Sequence, residues 1–239
     1  MNQEDKFLSL IKQSKKIVFF GGAGVSTESG IPDFRSQDGL YNQKYAYPPE
    51  TILSHDFFVN NPREFYRFYF DKMIYKWAKP NAAHLKLAQM EQKGRLSGVI
   101  TQNIDGLHTL AGSKNVCELH GSVYRNYCER CGKFYSLDDI LKQAPAVPHC
   151  SCGGIIKPDV VLYGESLDNK VIQKSLDLIT SCDLLIVGGT SLNVYPAAGL
   201  ITYTKAPIAL INKSQTPYDE NAEVVVNQPI GEVFSKIEL

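Results

Sequence analysis

Apolar residues along this chain fall into short continuous runs separated by stretches of helical spacing. Residues 17–20, 98–101, 184–187, 208–211 and 224–226 are rich in Val and Ile, and several end in glycine or polar turn residues. Such runs suit strands buried on both faces of a parallel sheet. Between them the period turns helical, as over residues 85–93 and 171–180, and an amphipathic helix opens the chain with Phe7, Leu10 and Ile11 on one face. The alternation predicts a doubly wound, Rossmann-like α/β domain built on a parallel sheet.

Two stretches interrupt it. Residues 36–80 are aromatic and punctuated by proline, with a helical core expected over 62–77. Residues 123–157 hold four of the six cysteines and are too short for a hydrophobic core of their own. Both read as insertions that meet in a smaller lobe. The expected division is a large domain of residues 1–35, 81–122 and 158–239, a helical insertion at 36–80, and a cysteine module at 123–157.

The cysteine spacing gives that module its chemistry. Cys128-x-x-Cys131 is followed, eighteen residues on, by Cys150-x-Cys152. Paired knuckles at this separation bring four thiolates to one tetrahedral zinc, a closed shell and so a structural site. Disulfides are the competing account, and they are rare in the cytosol. The second knuckle has one intervening residue where two are commoner, and His149 is an adjacent alternative ligand. Cys117 and Cys182 stand singly in apolar surroundings and read as buried small hydrophobes.

Composition narrows the partners. Apolar residues make up 44% and charged residues 21%, and net charge is zero, so no global electrostatic case exists for nucleic acid or an anionic membrane. No apolar run approaches the ~20 residues that span a bilayer. Residues 17–25, after two lysines, superficially resemble a signal peptide, but three glycines and the lack of an A-x-A-like cleavage site argue against one. The expected location is the cytoplasm.

Ligands of open α/β sheets bind at the carboxyl ends of the strands. Here those ends carry the glycine loop after residue 20, Gln102-Asn103-Ile104-Asp105-Gly106-Leu107-His108, His120-Gly121, Gly188-Gly189-Thr190-Ser191 and Asn212-Lys213. Any one could be a cap or a turn. The glycine loop is either a tight ligand-free turn or a close approach to phosphate, and Thr27 stands where G-x-G-x-x-G wants its third glycine.

Taken in order, these residues resemble the sirtuins, the NAD-dependent protein deacylases, and most of all their compact bacterial members. The matching motifs are Gly22-Ala23-Gly24-x-Ser26-x-x-Ser29-Gly30-Ile31-Pro32-Asp33-Phe34-Arg35, Thr101 to His108, His120-Gly121, the four cysteines, Lys157 to Glu165, Gly189-Thr190-Ser191-Leu192 and Asn212. The resemblance implies NAD as a consumed co-substrate beside one structural Zn2+. Ala23, Gly24 and Thr27 would meet its phosphates, with Gly189, Thr190 and Ser191 at phosphate and ribose. Asn212 would meet the adenosine ribose and Ile230 the adenine.

At the nicotinamide end, the resemblance implies that Asp105 and the Ile104 backbone read the carboxamide and that Phe34 walls off water. Arg35 would order the loop and Gln102 would contact the ribose. Asp105 is otherwise a helix N-cap before Gly106. The catalytic residues implied are His120, as a base for a ribose hydroxyl, and Asn103, which would orient ribose hydroxyls or a water. In this chemistry the acyl-lysine oxygen attacks the sugar carbon as nicotinamide departs, and His120 acts afterwards. The products would be free lysine, nicotinamide and O-acetyl-ADP-ribose.

The implied partners are acyl-lysine proteins or peptides, with no nucleic acid and no membrane. A peptide would add as a strand to the extended segment carrying Val160, Val161, Tyr163, Gly164 and Glu165. Tyr163 stands where the family usually has Phe. Members that remove acidic acyl groups carry Tyr-x-x-Arg in the inserted helix, whereas Tyr66-Arg67-Phe68-Tyr69 has no Arg at the last position. That favours acetyl or another apolar acyl group. His84 and His108 read as local packing or capping residues, and His55 and His149 have no constellation around them. Two other functions stay open at this level: a mono-ADP-ribosyltransferase on the same scaffold, and a non-enzymatic NAD or ADP-ribose sensor.

Overall fold

Asn2 starts the first helix, α1 (Gln3–Gln13), by accepting the Asp5 N–H while the Asp5 carboxylate accepts the Asn2 N–H, and Phe7 and Ile11 are buried beneath it. This arrangement is taken from a computed structural model that describes residues 2–34, 39–40 and 45–239. Strand β1 (Ile17–Gly21) follows, then the helices α2 (Pro49–Ile52), α3 (His55–Asn60) and α4 (Pro62–Lys72). Next come α5 (Ala82–Gln92), β2 (Leu96–Thr101), α6 (Leu107–Leu110) and β3 (Val116–Glu118). The chain then makes β4 (Gly121–Cys128), β5 (Phe134–Ser136), α7 (Leu137–Leu141) and β6 (Ile156–Val160). It returns through α8 (Asn169–Ser181), β7 (Leu184–Gly188), β8 (Ile208–Ile211), β9 (Val224–Val226) and α9 (Ile230–Ser235).

Six strands form one parallel sheet in the order β3-β2-β1-β7-β8-β9. The order reverses beside β1, whose neighbours are β2 and β7, and that reversal opens a crevice at the carboxyl ends. Every residue of β1 is buried. Ile17 and Phe19 join Phe7, Leu87 and Phe234 in the core on one face, while Val18 and Phe20 join Ile179 and Ile201 on the other. The doubly wound Rossmann-like sheet is therefore the one the apolar runs predict. Among the described residues, no helix is long and apolar enough to cross a membrane.

The remaining strands form an antiparallel sheet, β5-β4-β6, which shares a third core with α4 through Phe65, Tyr66, Val123 and Ile156. Helix α4 stops at Lys72, short of the expected residue 77, because the chain must turn before Pro80 and closes that turn with Ala78 N–H on the Tyr75 carbonyl. The helix buries Tyr66 and Tyr69 and sends Arg67 outward to Glu64 at 2.6 Å. Cys117 is buried and Cys182 half-buried, and burial pushes both thiols above their ordinary value.

His84 and His108 do pack locally. Asn81 caps α5 and holds the His84 ring, which lies 4.7 Å, centroid to centroid, from His108. Burial drives both imidazoles down, His84 to about 4 and His108 well below its ordinary value. The unfolded chain binds protons below pH 6.5, whereas the folded His84 ring resists them until about pH 4 and burial shifts His108 in the same direction. Stability is therefore expected to fall as pH drops through that window, by about 1.4 kcal/mol per pH unit for each ring. Urea midpoints measured from pH 7 to pH 4 should fall less steeply in His108→Leu than in the wild type; parallel curves would acquit the imidazoles.

Candidate active site

β1, β2, β3, β7 and β8 send their carboxyl-end loops to one cleft of about 910 Å³. Ala23, Gly24, Thr27, Phe34, Gln102, Asn103, Ile104, Asp105 and His120 line it, with Gly189, Thr190, Ser191, Asn212 and Ile230. Val160, Val161, Tyr163, Gly164 and Glu165 line the same space. Arg35 lies outside the described residues.

The loops after β1 and β7 touch where the strand order reverses. Gly24 N–H donates to the Gly189 carbonyl at 2.8 Å, and a Cβ on Gly24 would come within 2.8 Å of the Gly189 Cα. Beside them Asn212 Oδ1 accepts the Thr190 N–H at 3.0 Å, and Gln102 Nε2 donates to Thr190 Oγ1 at 3.0 Å. Asn212 Nδ2 is buried without a hydrogen-bond partner among the described residues. A buried donor left so costs about 1–3 kcal/mol, which an acceptor such as a nucleotide's sugar hydroxyl relieves. The cleft thus fits NAD on its own polar inventory.

Deeper in, Asn103 Nδ2 donates to Ser26 Oγ at 3.1 Å, and Ser26 donates to Asp105 Oδ2 at 2.6 Å. Asp105 Oδ1 accepts the Leu107 N–H at 2.9 Å, so one oxygen makes the local turn and the other faces the network. Capping and ligand reading are compatible in this residue. Burial pushes the Asp105 carboxyl up, opposed by the Ser26 hydroxyl and the Leu107 N–H. The Ile104 carbonyl accepts the Val123 N–H at 3.1 Å, which ties this loop to β4.

His120 occupies the reversal between β3 and β4. Its Nδ1 lies 2.9 Å from the Gln102 carbonyl. A carbonyl can only accept, so Nδ1 carries the proton and Nε2 keeps its lone pair. Burial lowers the imidazole's affinity for protons, partly offset by that carbonyl, and so the ring is a neutral base at pH 7.

Next to it, Gly121 has φ +76, and a Cβ there would stand 1.9 Å from the Asp159 carbonyl oxygen. Backbone meets backbone, so no side chain can yield. Gly121→Ala is expected to cost more than about 4 kcal/mol of stability by denaturant unfolding; a loss under about 1 kcal/mol would show that β4 and β6 part freely.

The segment expected to accept a peptide strand is extended only as far as Tyr163 and turns at Gly164, where φ is +90. Val161 N–H already donates to the His120 carbonyl, and Tyr163 pairs through both main-chain groups with Leu53 and His55. Leu162 N–H is bound by the Glu165 carboxylate at 2.9 Å. His55 does have a constellation, contrary to the sequence reading: its Nδ1 lies 2.9 Å from Glu165, which also holds Lys157 at 3.1 Å. Burial would raise the Glu165 carboxyl, but the Leu162 N–H, His55 and Lys157 hold it below its ordinary value.

Several contributors escaped the sequence reading. Ser26 joins Asn103 to Asp105 across 77 and 79 residues, a link that no spacing rule contains. Glu28 accepts the Gly231 N–H at 2.7 Å and so fixes the start of α9, where Ile230 walls the cleft. Tyr195 also lines the cleft.

Away from the cleft, the Sγ atoms of Cys128, Cys131, Cys150 and Cys152 all lie within 4.8 Å of one another. Four thiolates around zinc at about 2.3 Å have edges of about 3.8 Å, so this cluster fits a tetrahedral, closed site. His149 is turned to the Val147 carbonyl.

A profile of the Sir2 family matches residues 22–196. An NAD-dependent protein deacetylase of Clostridium acetobutylicum is 56% identical over 241 residues, covering 99% of this chain and 98% of that protein. A solved Sir2 structure with a deacetylated p53 peptide and 3'-O-acetyl ADP ribose is 41% identical with a TM-score of 0.90, covering 97% of this chain and 95% of the other. Another, of Sir2 with a p53 peptide and NAD+, is 40% identical with a TM-score of 0.87 over 99% and 97%.

Proposed function

The chain belongs to the Sir2 family, and from that premise we propose that it is an NAD-dependent protein deacetylase in which His120 is the general base. The observation that carries this reading is the neutral His120, its Nδ1 committed to the Gln102 carbonyl, on the same cleft as the glycine loop and Asp105.

NAD, when bound, supplies a sugar carbon that accepts the acyl oxygen and a nicotinamide leaving group. Asp105 and the Ile104 backbone orient the carboxamide ring, and the Ser26 hydroxyl fixes the Asp105 carboxylate for that task. Phe34 keeps water from the reacting carbon. Asn103, pinned by Ser26, orients ribose hydroxyls or a water. His120 Nε2 would take the proton from a ribose hydroxyl, whose oxygen then bonds to the acyl carbon; a water adds as the bond to the lysine nitrogen breaks, which frees the amine and leaves the acyl group on the sugar. Ala23, Gly24, Thr27, Gly189, Thr190 and Ser191 hold the phosphate side, with Asn212 and Ile230 at the adenosine. Arg35 is assigned to the phosphate side by resemblance alone.

The peptide lies along Val160, Val161, Tyr163, Gly164 and Glu165. Because the main chain of residues 161–163 is largely bonded within the protein, pairing with the peptide is concentrated at the Gly164 turn. The acyl group is acetyl or another apolar one, since Arg67 points away to Glu64 and Tyr69 stands where the acid-removing members carry their Arg. The protein is placed in the cytoplasm.

Mass spectrometry of the protein with NAD and an acetyl-lysine peptide, beside an NAD-free control, tests this directly. Acetyl loss with O-acetyl-ADP-ribose is expected. ADP-ribose added to protein without acetyl loss would overturn it in favour of a transferase.

A further inference from the structure

The chain crosses from the parallel sheet to the small one through Leu119 and His120 alone, between Glu118 at the end of β3 and Gly121 at the start of β4. One guanidinium spans that crossing. Arg125 Nη1 lies 2.6 Å from Glu118 and its Nε 2.7 Å from Asp159 on β6. Three strands around His120 are thereby joined through a single side chain.

The register explains why a clamp is needed there. Ser122 pairs with Asp159 and Asn126 with Pro158, so β4 advances four residues while β6 advances one. Val123, Tyr124 and Arg125 form a bulge, which breaks the ladder and re-aims side chains. Val123 and Tyr124 turn to the cleft. Pairing with β6 lapses over this segment, while Arg125 stays in register with Ser136 of β5; the Val123 N–H on Ile104, Asn126 Nδ2 on the Val123 carbonyl, and the two ion pairs of Arg125 hold the rest.

We propose that Arg125 is a positioning residue for the base: by bridging Glu118 and Asp159 it sets the His120 ring relative to the cleft. This rests on the reading of His120 as the base. Partly exposed ion pairs add little to folding stability, so a purely structural Arg125 would matter little to turnover. A planar guanidinium that engages two carboxylates along separate N–H directions instead fixes geometry, and small displacements of a catalytic group are costly in rate.

The test compares Arg125→Met and Arg125→Lys with the wild type. Deacetylation kinetics, zinc content, and exchange of labelled nicotinamide into NAD are measured on the same preparations. Exchange precedes the proton transfer at His120, so it reports the cleft without the base. Arg125→Met is expected to lower kcat on the order of tenfold to a hundredfold, with KM for NAD and the exchange rate near wild type. Arg125→Lys recovers part of kcat, because an ammonium lacks the fork that spans two carboxylates.

Unchanged kcat would overturn the proposal, and so would exchange falling in parallel with deacetylation. Should Arg125→Met not fold, Glu118→Gln and Asp159→Asn each remove one ion pair and must show the same split in smaller measure; the absence of a split overturns the proposal. A wild type without NAD-dependent acetyl loss would sink the reading of the base itself, and this inference with it.

Discussion

His120→Ala is expected to lower NAD-dependent deacetylation by about three orders of magnitude, within the 10²–10⁴-fold reach of a positioned general base. The Gln102 carbonyl fixes Nδ1 as the protonated nitrogen, so Nε2 is the basic atom, and burial keeps the ring neutral at pH 7. Two consequences are measurable. NAD binding by calorimetry should survive the substitution, because Gly24, Thr190, Asp105 and Asn212 do not rely on the imidazole. The acid limb of kcat/KM in the wild type should fall with a midpoint below 6.5, since burial lowers the ring's proton affinity and protonation removes the base. Activity retained within a few-fold would take the role from His120; lost NAD binding would make the residue structural.

The sequence revealed the sheet because its signal is local. Val18, Phe19 and Phe20 are apolar in succession, and only a strand covered on both faces asks for that. The cysteine cluster was legible for the same reason, since knuckle spacing is a short-range property. The polar strand ends pointed to one crevice because a parallel sheet sends all its carboxyl ends to one side. What the sequence hid was long-range partnership. His55 is unremarkable along the chain and meets Glu165 only because Tyr163 bridges to Ser54. Helix α4 looked longer than it is, since the aromatic pattern continues past Lys72 while the backbone has already turned toward Pro80. The slip in register that takes residues 123–125 out of step with β6 leaves no composition signature at all.

Removing the metal is expected to abolish activity while sparing the parallel sheet. Cys128 and Cys150 are buried in the small core with Tyr66 and Ile156, and the four thiols tie the end of β4 to the turn that leads into β6. Structural zinc contributes about 10–16 kcal/mol in zinc-finger peptides, as much as an entire domain's net stability of about 5–15 kcal/mol, so the lobe should not stay ordered without it. β4 runs from Cys128 back to Gly121, next to His120, so disorder at the metal end reaches the base directly. The cores on either face of the large sheet contain none of these cysteines and should persist. Chelation, or Cys128→Ser, should therefore release one zinc per chain, lose at least about 90% of deacetylation and part of the circular dichroism, and leave a cooperative unfolding transition. Four thiolates close the coordination shell, so the metal takes no part in the reaction. Cobalt should then restore turnover and bring a thiolate charge-transfer band with it. An apo-protein that stays active would show that the lobe is held by its packing instead.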